Sequence, residues 1–498
     1  MQNLLILGMV FSTLEGAIIT LIGTRFNRLN RWIAFGAALA SWGCSLAVLI
    51  QVFGEDIQTY RLGGYVPPFG IVFVADRLAA VFALMASSVL MGGFIYTIHC
   101  RDKCTSYPAF IPLFLFMHTG LMGTLITGDL FTFFVFMEIM VLSSVSLVAI
   151  SDDHLGLEAA FKYLFISAIG SLLLLISVAM LYAALGTLNM ADMARLLTSE
   201  NPPLVRGAAL MLTCASLLKS AVFPFHFWQP DFHTTAPTPV HAVLSSVVVK
   251  VGIYMILRIV TLLFVEDAAA VSGIFVLLGV FGVFFGSFGA LRTYNGKRLL
   301  AYSTIGQIGF ILLGIGWGTP LGLLAAIVYT FNHAFVKSAL LMVFGLVSSR
   351  TYPKSADFKN IQGAGRLMPP IIGILWMLGG MALAGIPPMN GFISKLTVIR
   401  SGVGVGDFLP LFLVVFGGMI TITYVFRTWQ YVFQQENPAL ELQIKPYGDG
   451  VLAPVLLIGV CLLLGVYARP LVALAQMAVE QIRDPSIYIQ AVRLFTGG

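Results

Sequence analysis

Apolar runs long enough to cross a bilayer recur from one end of this chain to the other, joined by short connections. The first, LLILGMVFSTLEGAIITLIG, is typical. About 20 mostly apolar residues span a hydrocarbon core about 30 Å thick. Such a chain has few folds open to it, because backbone groups in lipid must find hydrogen bonds inside the protein. Helices and closed barrels meet that demand, and runs of this length are helical. Composition agrees: 58% of residues are apolar and 10% charged, where a soluble domain carries about 25% charged residues. Hydropathy gives fourteen spans, centred near residues 13, 42, 88, 117, 140, 172, 216, 251, 280, 308, 335, 385, 421 and 460, with a short amphipathic tail from about Pro470. The expected fold class is an all-α polytopic membrane protein. The N-terminus has no basic region or small-residue cleavage site, so it reads as a retained first span.

Loop charge predicts orientation. Odd-numbered loops hold Arg25, Arg28 and Arg31, then Arg101 and Lys103, then Arg292, Lys297 and Arg298, then Arg350, Lys354, Lys359 and Arg366. Even-numbered loops hold fewer: Arg61, Arg77, Arg195, Arg206 and Arg400. Both termini are therefore expected on the non-cytoplasmic side of a cell membrane, although the acidic loop SDDHLGLE argues the other way. These loop cations account for the net charge of +6, so no nucleic-acid partner is implied. The five cysteines make no disulfide framework. Cys100 and Cys104, in HCRDKC beside His99, are a weak metal signal with no second ligand cluster.

Two spans carry a proline break beside a lysine: KSAVFPFHFWQP in span 7 (Lys219, Pro224) and AGIPPMNGFISK in span 12 (Pro387, Pro388, Lys395). They lie five spans apart. The chain then divides into residues 1–106 (spans 1–3), a first five-helix repeat over 107–265, a second over 266–434, and a last helix with tail over 435–498. An odd number of spans per repeat inverts one repeat relative to the other. Paired broken helices in corresponding positions point to the site of an inverted-repeat transporter.

A charge at mid-bilayer costs about 2.5–3.5 kcal/mol on insertion scales, so it is rarely incidental. Six ionisable groups stand inside the runs: Glu138 (FVFMEIMVLSS), Lys219, Lys250 (VVVKVGIY), His333 and Lys337 (FNHAFVKSALL), and Lys395. His333 and Lys337, four residues apart, share a helix face. A static ion pair is the bland reading for Glu138 with Lys219. It fails for the series, because one acid cannot neutralise four lysines. The surplus lysines must reach water, share ions or be neutral part of the time, and a desolvated lysine exchanges protons more readily than an exposed one. Glu15 reads as snorkelling or partner-facing, and His118 as a helix-packing residue. His226, His233 and His241 cluster around the span 7–8 connection at spacings that match no usual zinc pattern; proton access or water organisation is the alternative. No glycine motif cradles phosphate and no redox-ligand set is present, so no cofactor and no metal are expected.

The stretches LITGDLFTFFVFMEIMVLSS, LGTLNMADMA, KSAVFPFHFWQPDFHTTAPTPVHAVLSSVVVKVGIY, NGKRLLAYSTIGQIGF, NHAFVKSALL and LAGIPPMNGFISK resemble the antiporter-like subunits shared by Mrp cation/proton antiporters, respiratory complex I and membrane-bound hydrogenases. The likeness runs from about Ile71 to Arg400. VFVADRLAA, TGDLFTFFVFMEI, GTLNMADMA and a lysine at 395 lean towards the D-type subunits of the Mrp branch, while APTPVHAVLSS is closer to hydrogenase and complex I members. The resemblance implies that Glu138 and Lys219 form the family's glutamate–lysine pair and that Lys250 is the central lysine. It makes His333 and Lys337 relay residues and Lys395 the terminal lysine. Water would join them into a proton path parallel to the membrane, with half-channels at its ends. The implied function is a proton-translocating subunit of a multisubunit Na+/H+ antiporter. The alternative is the proton-pumping membrane arm of a complex I-like quinone reductase or a hydrogenase, whose redox centres would lie in other chains. A purely structural scaffold is the third reading. Expected partners are other membrane subunits, H+ and Na+, and the lipid bilayer.

Overall fold

A computed structural model describes residues 3–23, 27–151, 153–198, 200–352, 354–436 and 443–493. Arg25, Asp152 and the Arg28 side chain, all part of the charge count above, lie outside the described residues. Among the described residues, ten helices are long and apolar enough to cross a membrane unaided. They are spans 1 (Leu4–Ile22), 2 (Leu29–Gly54), 3 (Arg77–Ile98), 5 (Leu130–Ala149), 6 (His154–Leu185), 8 (Thr238–Leu263), 9 (Ala268–Arg292), 10 (Gly296–Gly316), 11 (Pro320–Arg350) and 13 (Phe408–Gln434). The remaining expected spans are short or broken, so length alone does not count them. Span 4 is the 17-residue helix Phe110–Ile126. Span 7 is Pro203–Lys219 followed by Gln229–Thr235, and span 12 is Pro370–Ala384 followed by Asn390–Val405. Span 14, Leu452–Val466, bends by 79° into Arg469–Ile482. The expected tail is thus two helices, this one and Pro485–Arg493, and Gln481 accepts from the Arg77 amide at 2.8 Å.

Short loop pairings sort the connections onto two faces. On one, Gln58–Arg61 pairs antiparallel with Val72–Ala75, Phe73 bridges Thr127, and Asp129 bridges Asn189. These are loops 2, 4 and 6. The Asn3 amide also donates to Thr59 there. On the other face, Thr351–Tyr352 pairs with Gln443–Ile444, Asn295 bridges Asp357, and Lys354 meets Asp102, which joins loops 3, 9, 11 and 13. Asn3 beside Thr59 and Gln481 beside Arg77 place both ends of the described chain on the first face, which requires an even number of crossings.

The two repeats are legible in their caps. Asp129 opens span 5 by accepting from the Thr132 amide (2.7 Å), and Asn295 opens span 10 by accepting from the amides of Lys297 and Arg298 (3.1 and 3.2 Å). Asp153 opens span 6 and Thr319 opens span 11, accepting from Gly156 and Gly322. Each cap satisfies amides that a helix start leaves free. The breaks correspond too. Both contain a cis X–Pro bond, Phe223–Pro224 and Pro387–Pro388, and both close their first half-helix with a left-handed residue, Ala221 (φ 52°) and Gly385 (φ 81°).

Burial separates core from perimeter. Spans 8, 10 and 11 are 94% buried over their most apolar windows, whereas span 9 is 22% buried. Span 9 approaches span 10 through glycines. A Cβ on Gly286 would sit on the backbone of Gly306, and one on Gly309 on the backbone of Gly279. In lipid such close packing supplies what the hydrophobic effect does not.

Candidate functional site

Lys219 ends the first half-helix of span 7, where the chain turns at Ala221 instead of continuing. Its ammonium donates to Ser171 Oγ (2.9 Å) and Ser167 O (3.1 Å), both on span 6, and lies 3.9 Å from Glu138 Oε1 on span 5. Ser171 Oγ in turn donates to Glu138. The two sequence-expected side chains thus lie within ion-pair distance, and a serine hydroxyl links them. Lys219 is buried; the Glu138 side chain keeps 27% exposure at the side of the bundle, so the two ends of the pair differ in access. Gly252 lets span 8 press onto Ser216 and Ser220 of span 7, two residues from Lys250.

Span 8 is not a uniform helix. Residues Leu244–Val248 adopt a π-helical turn, and Lys250 Nζ donates to the Ser245 carbonyl at 2.8 Å. Such bulges displace backbone carbonyls from the regular ladder. Ser245 Oγ meets Thr304 Oγ1 of span 10 at 2.8 Å. Lys250 and Lys337 lie within electrostatic reach of each other and of His333. Lys337 Nζ and both His333 ring nitrogens are buried without a hydrogen-bond partner among the described residues. Beyond them a cavity of about 10 Å³ is lined by Gln307, Tyr329, Asn332, His333 and Ser394, about the size that holds one water. A second cavity of similar size touches Lys219, Gly170 and Gly252. Asn332 and Asn390 are joined by an Asn390 Nδ2 to Asn332 Oδ1 bond (3.1 Å), and Asn332 also donates to Ser394 Oγ (2.9 Å). One residue on, Lys395 donates to the Ala384 carbonyl freed by the break in span 12 (2.7 Å) and lies 5.5 Å from the Phe310 ring centre.

The structure brings the six sequence-expected residues into separate groups. Glu138 touches Lys219, and Lys250 neighbours His333 and Lys337. Lys395 stands apart from both groups, one residue beyond Ser394, which lines the cavity beside His333. The serines and asparagines between them were missed by sequence reading, although Ser167 and Ser171 stand four apart on one face of an apolar helix. His118 meets Ser41 (3.2 Å), as its packing reading required. The histidine cluster needs correction: His233 and His241 have ring centres 6.1 Å apart, but His226 stacks on Phe223 and packs at a tilt against Phe285. Lys297, counted above as a loop cation, is buried in the first turn of span 10. A further missed pair is Arg258–Asp76, buried and bidentate at 2.6 Å on both arms, with Tyr254 accepting from the guanidinium. It ties span 8 to the start of span 3. Among the described residues no group of three or more His, Cys, Asp or Glu is set to hold a metal.

Two inverted repeats, each broken beside a lysine that bonds to groups inside the bundle, define an inverted-repeat membrane protein of the transporter class. Comparison narrows the class. The sequence profile described as NADH:quinone oxidoreductase/Mrp antiporter, TM matches residues 127–421, a stretch holding all six residues. The chain is 30% identical to the D-type subunit of the Na(+)/H(+) antiporter of Alkalihalophilus pseudofirmus, over 99% of both chains. It superposes with TM-score 0.90 on a chain of the Mrp complex from a Dietzia species (26% identity, covering 98% of this chain and 99% of that one). A chain of the archaeal membrane-bound sulfane sulfur reductase superposes equally well, at TM-score 0.90 (28% identity, 98% and 100% covered). The chain belongs to the NADH:quinone oxidoreductase/Mrp antiporter family.

Proposed function

We propose that this chain is a proton-carrying subunit of a multisubunit Na+/H+ antiporter, and that protons move between Lys219, Lys250, His333, Lys337 and Lys395. The observation that carries the reading is the contact set of Lys219: one carboxylate at 3.9 Å, and otherwise the neutral oxygens of Ser167 and Ser171. An opposite charge favours protonated lysine, and its withdrawal disfavours it. Glu138 closing on Lys219 loads a proton; Glu138 moving away releases it towards Lys250. Static pairing does not account for Lys250 and Lys337, which meet no anion among the described residues. The carbonyls freed at both breaks, together with the cavities beside Lys219 and His333, offer water its places in the line. The name of the Alkalihalophilus relative, a Na(+)/H(+) antiporter component, supports sodium as the coupled cation. The excess of Lys and Arg on the face of loops 3, 9, 11 and 13 supports a cytoplasmic location for that face, with both termini opposite.

A second reading has its own observation. The likeness to a chain of an archaeal respiratory complex equals that to the Mrp chain, so the same line could serve a redox-driven pump. One experiment separates them: sodium-dependent proton movement in vesicles holding the whole native complex, with and without an electron donor, repeated with Lys219→Ala. Donor-independent movement abolished by the substitution supports the antiporter. Movement only with a donor, also abolished, supports the redox arm. Movement unaffected by Lys219→Ala refutes both.

A further inference from the structure

A cavity of about 210 Å³, far larger than the two beside Lys219 and His333, lies where spans 7, 8 and 9 meet at the face of loops 2, 4 and 6. Its walls are largely apolar: Leu210 of span 7, Ile259, Val260 and Phe264 at the end of span 8, and Val271 of span 9. Span 8 ends there in a second π-helical turn, Ile259–Leu263, which the Phe264 amide closes by donating to the Ile259 carbonyl at 2.8 Å. Such turns are rare and gather at functional sites. Two charged residues line the same cavity. Arg206 stands in the first turn of span 7 and Asp267 immediately before span 9, so both lie at helix ends, where lipid headgroups meet the hydrocarbon. Arg206, Leu210 and Thr213 recur at helical spacing along the wall, a descent of about 10 Å into the membrane. Beyond Val271, span 9 continues the track with exposed Ile274, Leu277 and Phe281, again at helical spacing.

Size and charge select the occupant. Sites that enclose a whole small ligand run to about 300–1,000 Å³, so this cavity receives part of a longer molecule lying along the outside of the bundle. Span 9, 22% buried over its most apolar window, offers that molecule its surface. An uncharged headgroup answers neither charge. An anionic headgroup answers Arg206 and is repelled by Asp267. A headgroup with a phosphate and a primary ammonium answers both: a guanidinium holds phosphate oxygens through paired N–H donors, and an ammonium donates to a carboxylate. Asp267 is placed to accept, because its side chain makes no capping bond to the start of its own helix, the usual role of an aspartate there.

We propose that this cavity binds one zwitterionic phospholipid of the phosphatidylethanolamine type. Arg206 holds the phosphate and Asp267 the ammonium. One acyl chain enters between Leu210, Phe264 and Val271 and leaves along Ile274, Leu277 and Phe281. The lipid ties spans 7 and 8 of the first repeat to span 9 of the second. None of the six ionisable residues inside the bundle takes part, so the proposal stands independently of the proton-carrying reading.

The test uses the complete complex in vesicles, with assembly checked by native gel. Phosphatidylethanolamine carrying a photoactivatable diazirine on an acyl chain is irradiated in place, and its adducts are mapped by peptide mass spectrometry. They should concentrate on residues 206–213 and 259–271, and unlabelled phosphatidylethanolamine should compete about fivefold better than phosphatidylglycerol or phosphatidylcholine. Arg206→Gln should lower the adducts about fivefold, the loss of one phosphate contact. Asp267→Asn is the deciding variant. It removes the repulsion of an anionic headgroup and the partner of the ammonium, so phosphatidylglycerol should then compete at least as well as phosphatidylethanolamine. Adducts spread evenly over the exposed spans would mean bulk lipid only and overturn the proposal. Equal competition by the three headgroups would overturn it too, as would an unchanged preference in Asp267→Asn. An absence of adducts from both segments, the result of a partner subunit covering the cavity, would also overturn it. If one variant fails to assemble, the other and the wild-type competition decide.

Discussion

Replacing Glu138 with glutamine removes the charge and keeps the shape, so it tests the pair and little else. The carboxylate lies 3.9 Å from Lys219 Nζ. At that separation the attraction is about 1 kcal/mol in water and about 4 kcal/mol at an effective permittivity of about 20. The Glu138 side chain keeps 27% exposure, which places the pair between those limits, at about 2 kcal/mol. Ser167 and Ser171 remain as neutral partners, so Lys219 keeps its position and loses only the anion. With about 1.4 kcal/mol per factor of ten, its protonated form is disfavoured by roughly 30-fold. Proton flux through the complete complex in vesicles should fall by a similar factor, with assembly unchanged, and Glu138→Asp should fall less. Glu138→Gln at wild-type flux would refute the loading role, whatever the lysines do.

Other outcomes follow from particular contacts. Ala221 holds φ at 52° where the equivalent break has Gly385, and the left-handed region costs a non-glycine residue about 1–2 kcal/mol; Ala221→Gly should raise the resistance of the purified complex to thermal unfolding, and a lowered midpoint would contradict this. Gly286→Ala would drive a methyl into the Gly306 backbone, which cannot rotate aside. The expected loss is about 1–3 kcal/mol, seen as a lower unfolding midpoint, while unchanged stability would mean spans 9 and 10 separate easily. At the surface, burial alone would raise the Asp102 carboxyl, but the charge and hydrogen bond of Lys354 and the Cys104 amide leave it below the ordinary value. Burial likewise lowers Lys354 and Asp102 more than restores it, so it ends above its ordinary value. The Asp102 contribution is present above the unfolded carboxylate value of about 3.9 and is lost as pH falls through the lower folded one; that of Lys354 is present below about 10.4 and is lost as pH rises through its higher folded value. Lys354→Ala should therefore cost no more than about 1 kcal/mol at neutral pH, because the lysine is half-exposed, and the difference from wild type in unfolding titrations should vanish at the acid extreme.

Sequence alone determined that the chain is a bundle of membrane-crossing helices, the places where two of them break, and the six ionisable residues inside its apolar runs. Each of these is one-dimensional: run length against bilayer thickness, proline against helix continuation, and a charge inside an apolar run. The repeat was legible for the same reason, since two proline–lysine breaks five spans apart need no contact to be seen. What the sequence did not contain is which helix faces meet. Ser171 stands between Glu138 and Lys219 only because spans 5, 6 and 7 are turned towards one another. Arg258 finds Asp76 across nearly two hundred residues of chain because span 8 is packed against span 3. Lys297, one residue into span 10 and next to Arg298 in a stretch that reads as a charged loop, is buried while Arg298 stays near the surface beside Asp231. Helix geometry fixes neighbours three and four residues apart, but the rotation and depth of each helix are set by glycine contacts and caps contributed by other helices. The tertiary structure therefore decided which buried charges were answered, and left Lys337 and His233 without partners among the described residues.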